Sequence, residues 1–134
     1  MSIDYTVPIL VVDDQALMVD LAIRVLGRLG FTRIDHERNG EKALANLRAR
    51  PYQLVICDMH MQPLSGLQLL RLIRQDGALK GTRFLLMTGS AEPATVVKAR
   101  EAGADAYLLK PFTQEQLKAK LGEMFSRDRR TPLW

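Results

Sequence analysis

Apolar residues follow two rhythms along this chain. Short unbroken runs alternate with longer stretches in which apolar residues recur every three or four positions. Val7 to Val12, Leu54 to Cys57, Phe84 to Met87 and Ala106 to Leu109 are the runs. Rich in Val, Ile and Leu and free of charge, they read as strands buried on both faces. The stretch from Arg33 to Glu37 is short and polar, and reads as an outer strand. Between the runs the rhythm is helical. Leu17, Leu21 and Val25 mark a helix over 14–29, stopped by Gly30. After the turn signal Asn39-Gly40, Ala43, Leu44 and Leu47 mark a second, stopped by Pro51. Ser65-Gly66 opens a third, with Leu67, Leu70 and Ile73, closing near Gly77. Pro93 suits the first turn of a fourth, with Val97 and Ala102 on its apolar face and Gly103 at its end. Thr113 caps a fifth, with Glu115 or Gln116 near the capping-box position and Leu117, Leu121 and Met124 facing in.

Strict alternation of strand and helix predicts an α/β fold: a doubly wound, five-stranded parallel sheet covered by helices on both faces. Parallel strands share one carboxyl edge, where open α/β sheets place their chemistry. The runs end there on Asp13 and Asp14, on Asp58, on Thr88 and on Lys110. Three carboxylates, a hydroxyl and an ammonium are thus brought to one crevice. The stretch from Gln53 to Met61, with Asp58 at its strand end, organises the chain, and the earlier strand ending on Asp13-Asp14 repeats its pattern.

Crowded carboxylates repel unless a cation neutralises them. A hard divalent cation such as Mg2+, which takes oxygen ligands, fits that need. A carboxylate beside Mg2+, a lysine and a hydroxyl suits phosphoryl transfer, in which catalysis is positioning and charge stabilisation. Asp58 is then the nucleophile, forming an aspartyl phosphate. Asp13 and Asp14 have a plainer reading as caps of the first helix.

Composition narrows the classes. The chain has 134 residues, 47% hydrophobic and 25% charged, which suits one domain with a core. That domain is read as 1–126, with 127–134 a loose tail carrying Trp134. The net charge is +4, but Lys and Arg are scattered apart from Arg127, Arg129 and Arg130, so no DNA-binding unit is expected. Cys57 is the one cysteine, which excludes an intrachain disulfide and suits an inert buried thiol. No apolar run is long enough to span a bilayer and no leader pattern opens the chain, so a reducing cytoplasm is the expected location. His36 and His60 lack the neighbours of a zinc site.

Asp13-Asp14, Asp58, Thr88 and Lys110-Pro111-Phe112 resemble the signature of response-regulator receiver domains of two-component signalling. Met61, Gly66 and Ala102-Gly103-Ala104 match the same family's habits. The likeness spans about Val7 to Phe125 and is closest in kind to stand-alone, chemotaxis-type receivers. It implies a flavodoxin-like sheet of order 2-1-3-4-5. It also implies roles. Asp58 is the phosphoacceptor. Asp14, Asp58 and the backbone carbonyl of His60 hold Mg2+ directly, and Asp13 holds it through water. Lys110 meets the phosphoryl oxygens, Thr88 moves toward them, and Tyr107 is the switch aromatic. The Lys110-Pro111 bond is implied to be cis. The implied partners are a histidine kinase or histidine phosphotransfer protein and a downstream protein target. The implied output face combines 93–102, 106–109 and 113–125, on a monomer or a phosphorylation-dependent dimer.

Two positions depart from the family pattern. Gln62 stands where Pro is common, with Pro63 following, which predicts a differently shaped loop. Gly89 stands beside Thr88 where Ala is usual, leaving more room. Other functions fit less well. A haloacid-dehalogenase-type phosphatase needs a second Asp where Gln15 stands. A flavodoxin-type carrier needs a phosphate loop where Asp13 and Asp14 would repel phosphate. The remaining alternative is a receiver-fold interaction module that signals without phosphorylation.

Overall fold

The computed structural model describes residues 3–90 and 92–126. Five strands and five helices alternate. They are β1 (Ile9–Val12), α1 (Ala16–Leu29), β2 (Ile34–Glu37), α2 (Gly40–Ala49), β3 (Leu54–Asp58), α3 (Gly66–Gln75), β4 (Arg83–Thr88), α4 (Pro93–Glu101), β5 (Ala106–Leu109) and α5 (Gln114–Ser126). The strands form one parallel sheet in the order β2-β1-β3-β4-β5. The expected class and strand order are both present. The reading of 127–134 as a loose tail lies outside the described residues.

Alternate residues of each strand serve two cores. Ile9, Val11, Leu54, Ile56, Leu85 and Met87 point to the face covered by α1 and α5. Leu10, Val12, Val55, Cys57, Phe84 and Leu86 point to the face covered by α2, α3 and α4. Central strands covered on both sides have no solvent face, which is why they read as unbroken apolar runs.

Local signals set the helix ends. Asn39 caps α2 by accepting from the amides of Glu41 and Lys42. Ser65 and Gln68 form a capping box at α3, and Thr113 and Gln116 exchange the same pair of bonds at α5. Gly30 ends α1 in the left-handed region.

Two helix faces differ from the sequence expectation. Leu17 is 82% exposed. Helix α1 starts at Ala16 and buries Val19, Ala22, Val25 and Leu26; Leu17 lies two residues, more than half a turn, from Val19 and so faces away. Val97 is 39% exposed, because α4 rests on the sheet through Ala99 with Thr95 and Val96 half-buried. Among the described residues, no helix is long and apolar enough to cross a membrane.

Candidate phosphoacceptor site

The sheet register gathers the site. Val12 pairs with Cys57, Asp58 with Met87, and Thr88 with Leu109. The residues at or just beyond these pairs are Asp13, Asp14, Asp58, Thr88 and Lys110. Asp13, Asp14 and Asp58 each offer an oxygen within 4.8 Å of the others. Lys110 Nζ donates to Asp13 Oδ2 at 3.1 Å and to Asp58 Oδ1 at 3.2 Å. One ammonium therefore bridges two carboxylates of three.

Burial makes this arrangement electrostatically tense. Asp13 is fully buried, Asp58 is buried, and Asp14 is half-buried. Burial pushes the Asp58 carboxyl above its ordinary value, the Asp13 charge adds to that, and Lys110 opposes both. Burial pulls the Lys110 ammonium down, but its bonds and charge interactions with Asp13 and Asp58 outweigh this and raise it. The neighbouring Cys57 thiol is pushed well up by burial, with the Asp58 and Asp13 charges adding to it. Cys57 is inert by that measure.

The donor set is all oxygen, carries more negative charge than Lys110 offsets, and leaves the Asp14 carboxylate without an ion pair among the described residues. Such a set fits a hard divalent ion. The capping alternative for Asp13 and Asp14 is only half met. Asp13 Oδ1 accepts from the Gln15 amide at 3.0 Å, but Gln15 occupies the N-cap of α1, and no side-chain cap bond forms there.

The other expected residues sit as follows. Thr88 is buried, its carbonyl accepts from the Lys110 amide at 2.7 Å, and its hydroxyl accepts from the Ser90 amide at 3.1 Å. That hydroxyl has a long, 3.5 Å bond to donate to the Ser90 carbonyl, so its proton is weakly engaged. His60 is exposed in the loop after β3. Tyr107 pairs with Leu86 on the edge strand β5, is half-buried, and carries Lys120 Nζ at 5.9 Å from its ring centre. The structure thus joins Asp13 and Asp58 to Lys110 by direct contact and places Asp14 beside them. Among the described residues, the Thr88 hydroxyl makes no hydrogen bond to them.

The β3–α3 loop has its own shape. Both Lys110-Pro111 and Gln62-Pro63 are cis, and Leu64 has φ 82°. Gly66 closes the loop onto the site, donating to the Met59 carbonyl at 3.0 Å. A Cβ there would lie 2.1 Å from the Asp58 carbonyl oxygen. At Gly89 the space for a Cβ is open.

Sequence reasoning missed two arginines. Arg38 donates to the Asp14 carbonyl through Nε and Nη2. Arg74 joins α3 to the carbonyls of Lys80, Thr82 and Gly103 and to the Asp105 carboxylate. Apart from the Arg74–Asp105 pair, these contacts run to backbone oxygens, which no side-chain pattern reveals.

Fold and site together define a receiver-type phosphoacceptor class. The chain matches the response regulator receiver domain over residues 9–122 and belongs to that family. It is 34% identical over 119 residues to the chemotaxis protein CheY of Pseudomonas aeruginosa, covering 89% of this chain and 96% of that one. It is 35% identical to the chemotaxis protein CheY-3 of Vibrio cholerae, covering 89% and 92%. A putative response regulator from Chloroflexus aurantiacus has the same fold, with a TM-score of 0.85 at 26% identity over 91% of this chain and 99% of that one. The chain is therefore a CheY-like receiver domain.

Proposed function

We propose that this protein is a response regulator that accepts a phosphoryl group on Asp58 from a histidine kinase or histidine phosphotransfer protein. The observation that carries this is the Lys110 ammonium bridging Asp13 and Asp58 inside a three-carboxylate cluster at the sheet edge. Asp58 Oδ1 is held by Lys110, while Oδ2 has no hydrogen bond among the described residues. Oδ2 is thus the oxygen open to phosphorus. It attacks, an O–P bond forms, the P–N bond of the donor phosphohistidine breaks, and the electron pair returns to the imidazole.

Asp14, Asp58 and the His60 carbonyl would hold Mg2+, with Asp13 reaching it through water. When bound, the ion supplies positive charge against the carboxylates and the phosphoryl oxygens. Lys110 pairs with those oxygens. The weakly engaged Thr88 proton then turns toward them, Thr88 releases Ser90, and the β4–α4 loop moves inward. Tyr107 takes up the vacated space. The output surface is α4, β5 and α5, where Val97 and Leu109 are exposed apolar residues. Phosphate shifts a pre-existing equilibrium between two arrangements of this face and so changes binding of a downstream protein.

The test is intact mass after incubation with acetyl phosphate. A gain of one phosphoryl group that needs Mg2+ supports the proposal. No gain, with a partner still bound through the same face, supports a module that signals without phosphorylation.

A further inference from the structure

Asp14 stands in a bend between β1 and α1, outside both elements. Its neighbours are held. The Asp13 amide donates to the Glu37 carbonyl at 3.2 Å, and Asp13 Oδ1 accepts from the Gln15 amide. The Gln15 carbonyl accepts from Met18 and Val19 as α1 begins. Asp14 has one tether among the described residues. Its carbonyl oxygen accepts from Arg38 Nε at 3.2 Å and from Arg38 Nη2 at 2.9 Å.

Arg38 is itself fixed on both sides. Glu37 pairs with Val12 in the sheet, and Asn39 caps α2 with its side chain. The guanidinium is a planar fork whose donors keep a fixed relation. Two of them on one carbonyl restrain both the position and the tilt of the Asp14 peptide. The Asp14 carboxylate accepts no hydrogen bond among the described residues, so its place depends on that peptide.

We infer that Arg38 is a positioning residue that sets Asp14 for divalent-cation binding. This rests on the reading of Asp14 as a metal ligand. The guanidinium charge acts in the opposite direction, since a cation beside Asp14 disfavours a second one. Geometry and charge therefore predict opposite signs. Outer groups that orient ligands commonly set metal affinity by roughly 10–100-fold.

Calorimetric titration of the whole chain with Mg2+, without phosphodonor, separates them. Arg38→Met removes fork and charge; Arg38→Gln removes the charge but keeps a donor. Positioning requires weaker Mg2+ binding in Arg38→Met, by roughly tenfold, and an intermediate value in Arg38→Gln. The phosphorylation rate of Arg38→Met with acetyl phosphate should return to the wild-type value when Mg2+ is saturating. Unchanged or tighter Mg2+ binding in Arg38→Met overturns the assignment, as does a rate that saturating Mg2+ does not restore. A wild-type chain that binds no Mg2+ overturns the metal reading itself, and the role of Arg38 with it.

Discussion

The Lys110 ammonium lies 3.2 Å from Asp58 Oδ1 across a separation of 52 residues. Among the described residues, that contact, shared with Asp13, is the only ion pair made by this group of carboxylates. It ties the last strand to the third and makes stability depend on the site's charge.

Because the fold raises the Asp58 carboxyl above 3.8, it favours the protonated form. Ionisation then costs stability. The penalty is absent below the unfolded value and complete above the folded one. Asp58→Asn, which cannot ionise, should melt higher than wild type at neutral pH without metal. The gap should close as pH falls through the carboxylate range, and Mg2+ should stabilise wild type more than the variant. Melting curves across pH check all three.

Tyr52 gives the alkaline counterpart. Burial, and then its bond to Asp35, push its hydroxyl up to about 12 from 10.0. The fold favours the protonated form, so this contribution is full below pH 10 and is lost as pH rises toward 12. Tyr52→Phe should therefore lose stability at neutral pH and show less further loss between pH 10 and 12 than wild type. Ultraviolet titration of wild type and variant isolates the late-ionising phenol.

Gly66 backs directly onto Asp58. Gly66→Ala would force a Cβ against the Asp58 carbonyl, where the gap is 2.1 Å. The obstacle is backbone, so strand or helix must shift. A loss of about 1–3 kcal/mol in urea unfolding is expected, with slower phosphorylation of the folded fraction. Wild-type stability would show that the β3–α3 loop yields freely.

The proposed switch gives Thr88 a part in transmitting phosphate but not in accepting it. Thr88→Ala should still gain a phosphoryl group, since the hydroxyl contacts none of the aspartates. It should transmit poorly, and Tyr107→Ala likewise. Chemical-shift changes across α4, β5 and α5 on phosphorylation are the readout. Wild-type changes in either variant would remove this route.

Legibility in the sequence follows how local each cause is. The strand runs show because both sheet faces are covered, as at Ile56 and Cys57. Asp13, Asp58 and Lys110 show because parallel strands end at one edge. Leu17 misled because helical spacing gives a stripe but not the element's first residue; once α1 begins at Ala16, Val19 and Ala22 carry the buried face. Val97 misled because α4 has a weak apolar pattern and rests on Ala99 alone. Arg38 was invisible because its partner is a backbone carbonyl 24 residues away, a contact that only the folded register creates.

The central claim is that Asp58 carries the phosphoryl group. The direct measurement is reductive trapping with borohydride after incubation with acetyl phosphate and Mg2+, followed by peptide mapping. The label should fall on residue 58 alone, vanish when Mg2+ is chelated, and be absent from Asp58→Asn. A label on Asp13 or Asp14 in the wild type, or one that survives in Asp58→Asn at the wild-type level, would contradict the account.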